Sequence, residues 1–125
     1  MNPRKIAILT GAIFGFTGVI AGALGAHALE KVLEPEQLQS YLTAVRYQMY
    51  HALFLLVLGV LAKSGTPGSL KAAIWCAIIG TLMFSGSIYL LIFTSLPVWM
   101  ITPMGGTVLI VAWALVAVWA LRHAE

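Results

Sequence analysis

From Ala72 to Leu121 the chain runs for 50 residues without a formal charge. A helix that crosses the hydrocarbon core of a bilayer needs about 20 apolar residues. The block is therefore long enough for two crossings. Pro97 divides it, because proline breaks a helix interior and biases the residue before it away from the helical region. Two more uncharged blocks, Ile6–Leu29 and Tyr47–Ala62, precede it. The second is short, but Arg46 can lay its stem along apolar surface and lift its head to the interface, which lets the helix begin earlier. The pattern predicts an all-α polytopic membrane protein. It reads as one domain over residues 1–125, a four-transmembrane-helix bundle with spans at roughly 6–28, 44–62, 72–95 and 99–121. Composition closes the alternatives. Only 9% of residues are charged, against about 25% in an average soluble chain. Mean hydropathy is +0.97, which excludes disorder. The single cysteine, Cys76, excludes a disulfide scaffold.

Four spans put both termini on one side, together with Arg4, Lys5, Lys63, Lys71 and Arg122. The other side carries Lys31 and Arg46 beside Glu30, Glu34 and Glu36. That bias predicts cytoplasmic termini in a multi-pass protein of the cytoplasmic (inner) membrane. The net charge of +3 then reflects topology. No basic face is present for nucleic acid. Arg4, Lys5 and the apolar run up to Ala26-His27-Ala28 imitate a signal peptide. The run is long for one, and its glycines are patterned, so the first span is expected to be retained.

Between the first two spans, Glu34-Pro35-Glu36 reads as a helix start, with proline in the first turn and acids at the positive dipole end. Leu38, Tyr41, Leu42, Val45 and Met49 follow at helical spacing. They predict a short amphipathic helix on the outer surface that runs into the second span. In the first span Gly11, Gly15, Gly18, Gly22 and Gly25 step by four and three and share one helix face. Glycine costs helix propensity, so the face predicts close backbone packing, the way helices associate in lipid. Gly80 with Ala73 and Ala77 in the third span, and Gly105 and Gly106 in the fourth, extend the set. The face packs on a helix of the same bundle or on a second copy, or it clasps a ligand in a groove.

Polar residues within spans are costly and default to functional candidates. Here His27, Arg46, Tyr47, Gln48, Tyr50, His51, Ser85, Ser87, Tyr89 and Thr102 all fall toward the outer leaflet. Three readings stand side by side. In the first, these groups hydrogen-bond across helices to fix register, with Tyr47, Tyr50 and Trp99 as interfacial belt residues. In the second, His27, Arg46, Tyr47, Gln48, His51, Ser85 and Tyr89 line a site for a small or lipidic ligand, bound or transported. In the third, His27 and His51 ligate haem or a metal. The leading expectation is a non-enzymatic structural or interaction protein without a cofactor or metal. Its expected partners are membrane lipids and a second copy or another membrane protein. Catalysis has little support: there is no aspartate, and all four glutamates lie outside the spans. No nucleophile sits beside an evident base, and the glycine steps are no nucleotide fingerprint.

Several segments together carry a family resemblance. They are Gly22-Ala-Leu-Gly-Ala-His-Ala-Leu29, Tyr47-Gln-Met-Tyr-His-Ala-Leu53, Phe84-Ser-Gly-Ser-Ile-Tyr-Leu90, Thr102-Pro-Met-Gly-Gly106 and Trp113-Ala-Leu115. In this order they resemble the YgdD/YwdK family of small bacterial inner-membrane proteins, to which transmembrane protein 256 of animals looks related. The resemblance implies a four-span fold and inner-membrane placement, and it brings no catalytic assignment. It also implies that His27, Gln48, His51, Ser85, Tyr89, Pro103 and Gly106 belong to family motifs.

Overall fold

The computed structural model describes residues 2–63 and 66–123. Four helices account for nearly all of them: α1 Pro3–Ala26, α2 Pro35–Leu61, α3 Gly68–Phe93 and α4 Ile101–His123. A 3-10 turn, Leu29–Lys31, follows α1. The helices hold 24, 27, 26 and 23 residues. At about 1.5 Å rise per residue each reaches across a hydrocarbon core of about 30 Å.

Local signals set the ends. The Asn2 side chain accepts from Lys5 N at 2.8 Å, and Pro3 opens α1. Glu34 N donates to Gln37 Oε1 at 3.1 Å, and Pro35 opens α2. Thr94 closes α3 three residues before Pro97. Pro103 sits in the first turn of α4, where its missing N–H costs no helical bond.

The helix start read at Glu34-Pro35-Glu36 is where α2 begins, and the amphipathic segment and the second span are one helix. It opens at Pro35, well before 44, and runs unbroken to Leu61. The amphipathic segment does run into the span, but it is no separate surface helix. Its stripe faces α1: a Cβ on Gly25 would touch Tyr41, one on Gly22 would touch Val45, and one on Gly18 would touch Met49. No proline or glycine lies between Pro35 and Gly59 to divide the helix. Because Tyr41 is level with Gly25, the opening turns of α2 project about 9 Å past the end of α1.

The helices pack in chain order, α1 on α2, α2 on α3 and α3 on α4. The glycine face of α1 meets α2. At Gly11 the backbones themselves come together, since a Cβ there would lie 2.8 Å from the backbone oxygen of Ala52. Gly80 faces Leu109, and Gly105 faces the backbone of Met83 and Phe84, so both serve the α3–α4 contact. Gly59, not singled out by its spacing, admits Ile8 of α1. The core fills the half of the bundle nearer the termini. Ala7, Phe14, Leu55, Leu58, Leu70, Ala73, Ile74 and Ala77 are buried there, with Cys76 half-buried against them. Leu9, Ile13, Phe16 and Val19 of α1 and Ile110 and Leu121 of α4 are exposed apolar side chains. Helices apolar on every face suit burial in lipid.

Candidate functional site

Gln48 is the hub of the polar residues. Its side chain is 7% exposed. Its Nε2 donates to Phe14 O at 3.0 Å and to Thr17 Oγ1 at 2.8 Å, both on α1. Its Oε1 accepts from the Tyr89 hydroxyl of α3 at 2.8 Å. Thr17 passes the chain on, donating to Ile13 O at 2.8 Å. A buried amide has two donors to satisfy, and both are used here. One residue thus ties α1, α2 and α3 together. The Ser85 hydroxyl donates to Ala44 O at 2.7 Å, and the Tyr41 hydroxyl donates to Ala21 O. Ser87 and Thr102 share a bond between α3 and α4.

His51 faces elsewhere. It is 3% exposed. Its Nε2 accepts from the Trp113 indole N–H of α4 at 3.1 Å, and its Nδ1 lies 2.7 Å from Tyr47 O. A neutral imidazole has one donor and one acceptor. Accepting at Nε2 puts the proton on Nδ1, which then donates to Tyr47 O. The ring is therefore held as one tautomer. Tyr47 stacks on it with centroids 6.2 Å apart and lies 4.8 Å from the Phe84 ring. Trp113 also stacks on Phe54 at 4.0 Å.

The single constellation expected from the sequence is thus divided. Tyr47 and His51 share one face of α2, whereas Gln48, about 100° round the helix, meets Tyr89. Ser85 bonds higher up on α2. His27 joins neither group: it caps the C-terminal end of α1 and is exposed. Arg46 is also exposed, and it lines none of the cavities described below. His51 belongs near mid-depth, because Ala52 touches the approach at Gly15. His27 lies twelve residues beyond Gly15, or about 18 Å along α1. His27 and His51 therefore cannot ligate one haem or metal ion. Among the described residues no three His, Cys, Asp or Glu side chains come together as a metal site requires.

Open space lies along the α2–α4 seam, because both helices pack on α3. A groove of about 670 Å³ at the end of the bundle away from the termini is lined by Glu36, Gln37, Ser40 and Thr43 of α2, Ile88, Leu91 and Ile92 of α3, and Trp99, Thr102 and Pro103. A smaller crevice of about 370 Å³ follows, where Tyr47 and His51 face Phe84, Gly106, Thr107 and Trp113. The two meet at Pro103. Glu36, Ser40, Thr43, Tyr47 and His51 form one polar stripe down α2 at i, i+4, i+7, i+11 and i+15. That spacing was readable in the sequence. It was missed because the apolar stripe on the opposite side of the same helix was followed instead. Thr17 was also missed, although a hydroxyl in a charge-free span is a signal for a helix-to-helix bond.

The family profile described as "Protein of unknown function (DUF423)" matches residues 21–106. The UPF0382 membrane protein YwdK of Bacillus subtilis is 40% identical over 121 residues, which cover 95% of this chain and 98% of that protein. The UPF0382 membrane protein SAB0533 of Staphylococcus aureus is 37% identical, covering 96% of this chain and 98% of the relative. The UPF0382 inner membrane protein YgdD of Escherichia coli K12 is 34% identical, covering 94% and 91%. No solved structure matches the chain. The chain belongs to this family of small membrane proteins of unknown function.

Proposed function

We propose that this member of the DUF423 family is a non-enzymatic membrane protein that engages another membrane component through the α2–α4 seam. Its buried polar chain is architecture. The observation that carries this is the saturation of Gln48: both amide hydrogens and the carbonyl are bonded within the bundle. A side chain so committed fixes register and has no donor left for a ligand. Five cations against two support cytoplasmic termini.

A second reading is favoured by the groove. A polar wall on α2 opposite an apolar floor of Ile88, Leu91 and Ile92 suits an amphiphile lying alongside the bundle in the outer half of the membrane. Apolar walls with few placed polar groups are the usual form of a small-molecule site. Its polar lining is Glu36, Gln37, Ser40, Thr43 and Thr102, and not the His27, Arg46 and Tyr89 set.

Native mass spectrometry from mild detergent tests both readings. Gln48→Leu with Tyr89→Phe should lower thermal stability and leave co-purifying lipid unchanged. Leu91→Trp, which fills the groove, should leave stability intact and remove any lipid bound there. Loss of a bound molecule on the first change, with stability kept, would overturn the architectural reading. Lipid retention indifferent to Leu91→Trp would overturn the groove reading.

A further inference from the structure

We infer that the face bearing the termini holds a binding site for a phosphate-bearing anion, built by Arg4, Lys63 and Lys71, with an anionic phospholipid as its occupant. The three cations come from separate parts of the chain. Arg4 is in the first turn of α1, Lys63 follows α2, and Lys71 is in the first turns of α3. All three line one cavity of about 490 Å³, together with Asn2, Pro3, Ala62 and Thr66. No carboxylate of the described residues lines it. The described acids, Glu30, Glu34 and Glu36, lie at the opposite end of the bundle. Three like charges facing one space repel each other, and an anion between them relieves that repulsion.

The positive-inside bias requires only that cations flank the spans. It does not require three of them to converge on one cavity of ligand size. Basic pockets between membrane helices at the cytoplasmic side are the usual seats of anionic headgroups.

A second feature separates a lipid from a free phosphate. An apolar trough of about 500 Å³ shares Asn2 and Arg4 with the basic cavity. It runs down one face of α1 past Lys5, Ile8, Leu9 and Ala12. A phosphodiester between the cations places its acyl chain directly over this trough. A free phosphate has no use for it.

The test is lipid retention by the full-length protein in mild detergent, read by native mass spectrometry. Phosphatidylglycerol and phosphatidylcholine with identical chains are the probes, and sn-glycerol 3-phosphate is the soluble competitor. Phosphatidylglycerol should be retained in preference. Each basic side chain near an anionic headgroup is worth about fivefold, so R4Q/K63Q/K71Q should lower retention on the order of a hundredfold. The charge-matched set K31Q/R46Q/R122Q should leave it within about threefold. Ala12→Trp, which fills the trough and keeps every cation, should weaken the lipid and spare the soluble phosphate. It remains decisive if the triple variant fails to fold. Equal retention of both lipids, or equal loss in the two triple variants, would overturn the site. Tight binding of glycerol phosphate with lipid retention blind to Ala12→Trp would overturn the phospholipid as occupant.

Discussion

Alanine at Gly105 places a Cβ 2.5 Å from the backbone nitrogen of Phe84 and 2.9 Å from the carbonyl carbon of Met83. Those atoms belong to the backbone of α3, so no rotamer change relieves the contact. Ordinary contact at about 3.5 Å requires α4 to retreat by about 1 Å, and a gap of that size forfeits a quarter to a half of the dispersion energy along the interface. Overpacking of this kind costs about 1–3 kcal/mol. Alanine returns about 1 kcal/mol of helix propensity. With backbone on both sides the cost falls at the upper end, leaving a net loss of about 1–2 kcal/mol. Gly106 is the internal control. A Cβ there meets only the Phe84 ring at 3.7 Å, an ordinary contact. Gly106→Ala should therefore be neutral or stabilising by up to about 1 kcal/mol. The adjacent glycines then differ by about 1–3 kcal/mol in all. Reversible unfolding of the two variants in one detergent measures the difference. If both shift the same way, or lie within about 0.5 kcal/mol of each other, the close-approach account of α3–α4 packing is wrong.

Further outcomes follow from the same geometry. A double-mutant cycle between Gln48→Leu and Tyr89→Phe should give a coupling near 0.6 kcal/mol and below about 2 kcal/mol; a coupling of zero in unfolding experiments would remove the bond from the architecture. Nitrogen-15 NMR of selectively labelled protein should find His51 with its proton on Nδ1 and a bare Nε2, and a proton on Nε2 contradicts the Trp113 bond. In a Cys76→Ala background, Glu34→Cys should react with an impermeant maleimide in intact cells and Lys63→Cys only after permeabilisation. The reverse pattern inverts the topology. Gly86→Ala, with open space around its Cβ position, should not destabilise the protein in the detergent assay.

The number of spans was legible because charge is the strongest signal in lipid, and the uncharged blocks stand out without any knowledge of packing. The start of α2 at Pro35 was legible too, from Glu34-Pro35-Glu36, but how much of that helix belongs to the span was not. Glu36, Gln37, Gln39, Ser40 and Thr43 are poor hydrocarbon residues, so a reading based on charge begins the span near Arg46. Those side chains instead face the groove or project beyond α1, where polarity is tolerated. A span begun near Arg46 places His51 toward the end away from the termini, as a neighbour of His27. The glycine face of α1 was also legible, because its period is that of the helix. Its partner was not, since periodicity tells which residues face inward but not which helix they face. The separation of Gln48 from His51 follows from the same limit. Three residues apart in number, they point into different interfaces once α3 and α4 are placed.

The distribution of polar bonds explains why the seam is the open part of the molecule. Burying apolar surface gains little between helices in lipid, so hydrogen bonds and close backbone contacts must fix the register. The α1–α2 and α3–α4 pairs have both devices: glycine contacts along their length and bonds through Gln48 or Ser87. Helix α2 meets α4 mainly through the Trp113–His51 bond and its aromatic surroundings, deep in the bundle. Above that point Pro103, Thr102 and Trp99 stand across the groove from the polar stripe of α2. There the two helices meet only through α3, which Ser85 and Tyr89 tie to α2 and Ser87 ties to α4. Trp113→Phe keeps the ring stack and removes the bond to His51. It should cost about 1 kcal/mol and loosen the α2–α4 seam alone, which faster hydrogen exchange in α4 around residue 113 would reveal. Equal acceleration along α1 would show that the seam has no such independence.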